Sequence, residues 1–264
     1  MKVILFCGGK GTRLREETEF KPKPMVEIGG KPILWHIMSR YAHYGFKEFV
    51  LPLGYRGDVI KQYFHDYTMR NTDFTIDLST GAATVHNPDD RLDWKVTLCD
   101  TGEATEKGAR IKRTAAHLGD GPFMAAYGDG VADIDINALL RFHKSRGTTG
   151  TFTGVRMPSR FGTVSTDDKG NIASWEEKPL LNQFTNCGFF VFEHEFLDYL
   201  SADADCDLEK APLERLAREG RLSMYRHNGF WQCMDTLRDY MLLNELWDKG
   251  NVPWMRFADG PVGE

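Results

Sequence analysis

The 264-residue chain has few cysteines: Cys7, Cys99, Cys187, Cys206 and Cys233 are odd in number, scattered and form no C-x-x-C pair. That argues against a disulfide framework and a cysteine-held zinc site, and points to a reducing compartment. No apolar run approaches the roughly 18–20 residues of a membrane span. No signal-peptide pattern precedes the first strand either, so a cytoplasmic protein is expected. A basic excess is also missing. The formal charge is −5, whereas a general nucleic-acid binder needs a basic face. Anionic ligands must then be met by local clusters. Repeats, low-complexity tracts and clean linkers are absent, so one domain is expected over 1–257, with 258–264 a tail.

What the sequence does have is concentrated in VILFCGGKGTRLREETEFKPKPM, Val3 to Met25. The apolar run Val3–Cys7, closed by Gly8-Gly9, reads as a buried strand ending in a tight turn. Gly8, Gly9 and Gly11 let backbone N–H groups approach a ligand and form a concave anion nest. Lys10, Arg13, Arg15, Lys21 and Lys23 follow, with Lys23 stiffened between Pro22 and Pro24. Bare glycines, an Arg fork and a held Lys describe a triphosphate cradle. Two familiar phosphate loops are missing. The spacing G-x-x-x-x-G-K-[ST] is not met, and Leu14 stands where a dinucleotide fingerprint needs its third Gly. Without the cations, Gly8–Gly11 would read equally as a plain strand-to-helix turn.

The rest of the first half alternates strand and helix. Ile33, Ile37 and Tyr41 form a helical stripe after Pro32; Glu48–Leu53 reads as a strand; Asp58 is the expected cap of the next helix. A hairpin around Gly81, a strand at Lys95–Cys99, a helix over Lys107–Leu118 and a strand at Pro122–Tyr127 follow. Short turns between such elements imply βαβ units and a doubly wound, Rossmann-like, mostly parallel α/β sheet, with ligands at the carboxyl ends of its strands. From Thr149 shorter β segments dominate, predicting a smaller β-rich part with Phe189–Phe192 as a last apolar strand before a segment at Leu222–Arg226 and a helix from Leu237.

Several residues could carry chemistry. Asp129, in Tyr127-Gly128-Asp129-Gly130, falls at a strand's carboxyl end and could hold Mg²⁺, which takes one or two carboxylates plus phosphate oxygens. Asp235, before Thr236-Leu237-Arg238, is either a second metal carboxylate or a helix N-cap. Arg110, Lys112 and Arg113 read as a solvated helix face or as anion contacts. Glu177-Lys178-Pro179 is either a charged hairpin exit or a held cation, and Asn186-Cys187-Gly188 either a turn or an amide and bare backbone for sugar hydroxyls.

GGKGTRL and KPKPM, with YGDG (127–130), RIKR (110–113), RFGTV (160–164), EKP (177–179) and GFWQCMDTLRD (229–239), resemble the sugar-1-phosphate nucleotidylyltransferase family, most closely its glucose-1-phosphate cytidylyltransferases. The resemblance runs from Val3 to Trp254 and implies the nucleotide-diphospho-sugar transferase fold. It also implies a nucleotide-binding half at about 1–147 and a sugar-phosphate and oligomerisation half at about 148–257. By resemblance, Phe6, Cys7, Gly8, Gly9, Lys10, Gly11, Thr12, Arg13, Lys23, Thr105, Arg110 and Gly128 bind CTP, with Arg13 and Lys23 catalytic. Glu177, Lys178, Asn186 and Gly188 bind glucose 1-phosphate, and Asp129 and Asp235 bind Mg²⁺. The implied assembly is a homo-oligomer, a hexamer, with no nucleic-acid or membrane partner. Cys7, Glu106–Arg110 and Cys187 depart from the family's usual pattern, and the last two leave UTP or dTTP, and the sugar, as alternatives. A non-catalytic sugar-nucleotide binder is a further one.

Overall fold

A computed structural model describes residues 1–9, 11–86, 92–159 and 161–257. Lys10, Arg160 and the expected tail 258–264 therefore lie outside the described residues. The strand Val3–Phe6 sits near the middle of a seven-stranded sheet. Glu48–Leu53 and Phe123–Tyr127 flank it in parallel, and Lys95–Asp100 continues the parallel set. On the other side Leu180–Phe192 runs antiparallel to Phe123–Tyr127, followed by Gly150–Pro158 and Leu222–His227. Only Leu180–Phe192 is reversed within the sheet, so the expected mostly parallel α/β architecture holds. Both halves of the chain contribute strands to this one sheet.

Strand alternation divides the core between the two faces. Val3, Leu5, Phe49, Leu51, Met124 and Phe189 pack with Ile33, Ile37 and Tyr41 of the helix Ile33–His43. Ile4, Phe6, Val50, Phe123, Phe190 and Phe192 pack with Ile111, Phe196, Leu213 and Leu216. Covered on both faces, the central strand has no polar position to spare, which is why VILF is uninterrupted. Among the described residues no helix is long and apolar enough to cross a membrane.

Three local expectations change. Asp58 does not cap its helix: Gly57–His65 is entered through Arg56 at φ 48, and Asp58, already in the first turn, pairs with Arg56 at 3.2 Å. The helix expected over Lys107–Leu118 ends at Arg113 and passes into a 3₁₀ turn, Ala115–His117. The apolar strand expected at Phe189–Phe192 is the end of a 13-residue strand, Leu180–Phe192. Gly188, at φ 84, marks a shift of register opposite Phe152 and Gly154, so the turn-like Asn186-Cys187-Gly188 is an irregularity inside the strand.

Candidate active site

Phe6 pairs in register with Tyr127, so the loops leaving these two strands emerge side by side at their carboxyl ends. There a cleft of about 930 Å³ opens, lined by Phe6, Gly8, Gly9, Gly11, Thr12, Arg13, Lys23, Thr105, Arg110, Gly128, Asp129, Asn186 and Asp235. Gly128 is required by the close approach: a Cβ there would sit 2.4 Å from the Phe6 carbonyl oxygen. Gly11 takes φ 62, and its carbonyl accepts from Leu14 N at 3.0 Å and Thr18 Oγ1 at 3.0 Å, closing the turn.

At the centre, two cations meet two carboxylates. Lys23 lies in the 3₁₀ turn Lys23–Met25, with Pro22 leading in and Pro24 inside it, and is buried. Its Nζ donates to Asp129 Oδ2 at 2.7 Å and, in a shorter contact, to Asp235 Oδ1. Arg13, largely exposed, reaches Asp235 Oδ2 at 2.9 Å. Burial disfavours the Lys23 ammonium, but Asp129 and Asp235 more than offset this, and its pKa lies above the ordinary lysine value. Burial likewise opposes charge on Asp235, yet Lys23 and Arg13 hold its carboxyl below the usual range.

Asp235 arrives through a short antiparallel ladder, Gly130–Ala132 against Trp231–Cys233, that Met234 N extends by donating to the Asp129 carbonyl at 2.8 Å. Asp235 is not the helix cap. Thr236 caps Leu237–Asp248 in a capping box with Asp239. Asp239 Oδ2 also accepts from Asp235 N at 3.1 Å, so the Asp235 carboxylate is left to face Lys23. Thr236→Ala is expected to cost about 1 kcal/mol of stability, the ordinary worth of a cap. Thermal unfolding followed by circular dichroism checks this.

Arg110 is not on a solvated face. It is buried; Nη1 donates to Leu53 O at 2.8 Å and Thr101 Oγ1 at 2.6 Å, and Nη2 to Gly8 O and Glu103 O at 3.2 Å. The guanidinium therefore ties the glycine turn to two neighbouring strand ends. Thr105 Oγ1 donates to Thr101 O at 2.7 Å. Cys7 is fully buried beneath the loop, its thiol pushed up by burial. Gly188 packs against the Tyr127 ring, where a Cβ would lie 2.2 Å from Cδ2. Glu177 and Lys178 are not brought into the cleft lining. They sit on an exposed turn, Lys178 at φ 49, with 3.8 Å between its Nζ and Glu177 Oε1. The lining also holds Lys107, Tyr127, Asp207 and Glu209, which sequence reasoning missed. Tyr127 opens the strand-end stretch 127–130 that was singled out for Asp129, which offered a signal; Lys107, Asp207 and Glu209 stand in no motif.

A glycine turn, a held lysine and an arginine at the carboxyl ends of parallel strands define a nucleotide-binding α/β protein. The chain belongs to the nucleotidyl transferase family, whose sequence model matches residues 2–247. It is 46% identical over 257 residues to the glucose-1-phosphate cytidylyltransferase of Salmonella typhi, covering 96% of this chain and 98% of the relative. The enzyme of the same name from Salmonella typhimurium matches equally, at 46% with the same coverage. Among solved structures, HddC from Yersinia pseudotuberculosis shares the fold, with a TM-score of 0.67 at 22% identity over 93% of this chain and 99% of that one.

Proposed function

We propose that the protein transfers a cytidylyl group from CTP to α-D-glucose 1-phosphate, giving CDP-glucose and pyrophosphate. The observation that carries this reading is the convergence of Lys23, Arg13, Asp129 and Asp235 at the glycine turn of a chain 46% identical to cytidylyltransferases of that specificity. A phosphate oxygen of the sugar attacks the α-phosphorus of CTP in line. The new P–O bond forms as the bond to pyrophosphate breaks. No general base is needed, because the nucleophile is already anionic at neutral pH. Catalysis is then positioning and charge neutralisation. Lys23 holds the α-phosphate beside the incoming anion, Arg13 grips the triphosphate, and the backbone N–H groups of Gly8, Gly9, Gly11 and Thr12 cradle it.

Asp129 and Asp235 already converge on one cationic atom, Lys23 Nζ, and so fit a hard divalent ion completed by phosphate oxygens. Mg²⁺ held there would supply charge neutralisation to the phosphates. Asn186, beside the cleft, is our candidate for a sugar hydroxyl. A homo-oligomer fits the exposed Phe161, Ile172, Trp175 and Leu180 on and beside the 161–180 hairpin. The free cysteines fit a cytoplasmic setting.

The test is pyrophosphate release with Mg²⁺, glucose 1-phosphate and each of CTP, UTP, dTTP, ATP and GTP in turn. CTP is expected to dominate. Dominance of another triphosphate would keep the reaction and move the base assignment, and silence across a panel of sugar phosphates would overturn both.

A further inference from the structure

A second polar cluster lines the same cleft without touching the Lys23 centre. Glu209 Oε1 pairs with Lys107 Nζ at 3.0 Å and accepts a short hydrogen bond from Tyr127 Oη. Tyr127 Oη in turn accepts from Asn186 Nδ2 at 3.0 Å, and Lys107 Nζ lies 5.5 Å from the Tyr127 ring centroid. Four side chains from four separate segments thus form one chain: Lys107, Glu209, Tyr127, Asn186.

The parts are fixed in place by their surroundings. The loop before Glu209 is fastened to the start of the helix Lys107–Arg113: Glu106 N donates to Ala204 O at 2.8 Å and Ala109 N to Cys206 O at 3.1 Å. Gly108 keeps that contact close, since a Cβ there would lie 2.7 Å from Cys206 O. The Tyr127 ring is seated against the Gly188 backbone and edge-on to Phe190. Glu209 Oε2 is buried and, among the described residues, has no hydrogen-bond partner. Burial pushes the Glu209 carboxyl above its ordinary range, helped by Asp207.

We propose that Glu209 is a positioning residue for both substrates, holding the Lys107 end of the nucleotide-side helix with one bond and, through Tyr127, the Asn186 amide with another. This rests on the reading above, with Arg110 and its helix on the CTP side of the cleft, as the resemblance implies, and Asn186 on the sugar side. One carboxylate then sets the spacing between the two sides of the cleft.

The test compares Glu209→Gln, Tyr127→Phe and Lys107→Met by steady-state kinetics, varying each substrate separately. Glu209→Gln is expected to raise KM for both CTP and glucose 1-phosphate by on the order of tenfold, with kcat little changed, because the contacts it supports hold each substrate equally in the ground and transition states. Tyr127→Phe cuts only the Asn186 arm and is expected to raise KM for the sugar phosphate alone. Lys107→Met is expected to raise KM for CTP alone. Unchanged KM values in Glu209→Gln, or a fall in kcat with both KM values intact, would overturn the proposal. So would equal effects of all three variants on both substrates. Calorimetric titration of CTP and of glucose 1-phosphate onto the same variants reads the shifts as dissociation constants without turnover. A wild type that binds but does not turn over would therefore sink the reaction and leave this test standing.

Discussion

Asp129→Ala is expected to turn over about 10²–10³-fold more slowly than the parent chain, the scale on which one preorganised electrostatic group acts. The protein should still fold. Lys23 keeps Asp235 as a partner, and Asp235 keeps Arg13, so no buried ammonium is left alone. Removing Asp129 also relieves the repulsion of two carboxylates that share one cation. Asp235→Ala should lose as much activity, and its helix should survive because Thr236 and Asp239 make the cap. Pyrophosphate release at saturating Mg²⁺, beside circular dichroism to show folding, checks both. Near-normal turnover in Asp129→Ala would mean that these carboxylates hold no metal and that Lys23 needs no such partner.

The second large effect is expected at Arg110. Arg110→Ala removes four donated hydrogen bonds, while Leu53 O keeps Thr101 N and Oγ1 as donors and Gly8 O keeps Tyr55 N. The expected loss is about 3 kcal/mol, since several hydrogen bonds donated by one buried charged group are lost together. For a chain of this size that corresponds to a fall in Tm of about 6–12 °C. Arg110→Lys should not rescue it, because a single ammonium cannot serve acceptors spread around a planar fork. Gly8→Ala attacks the same contact from the other side: its Cβ would lie 2.1 Å from Arg110 Cζ. Both variants should lose CTP binding as well as stability, read by calorimetry and thermal melting. A stable Arg110→Ala that binds CTP normally would show that the glycine turn holds its shape unaided.

These expectations divide along the line between local and distant causes. The central strand was legible because Val3–Phe6 is buried on both faces and followed at once by glycine. Glu48–Leu53 appears with the bounds its apolar run implied. Lys23 and Asp129 were legible as a proline-held cation and a strand-end carboxylate, and the structure brings them to 2.7 Å. What could not be read depends on partners remote in the chain. Asp235 looked as much a cap as a ligand because the ladder that delivers it is three residues long on each side. Arg110 looked solvated because helical periodicity says nothing of Gly8 and Gly54, whose bare backbones make room for its guanidinium. Glu209 carried no motif; its meaning comes from Tyr127 and Lys107. For Lys178 the proline beside it left a charged hairpin exit and a held cation equally open, and the hairpin that precedes it is exposed along its length.

The ladder between Gly130–Ala132 and Trp231–Cys233 also orders events during synthesis. A nascent chain that has reached Gly220 already contains the glycine turn, Lys23 and Asp129, but not Trp231–Cys233 or Asp235. Its cation would face one carboxylate in place of two. An unfinished or C-terminally clipped molecule would therefore lack a completed centre, however well its first strands had formed. Competence needs both segments, and the later stretch that carries Asp235 closes the circuit that the earlier stretch around Lys23 opens.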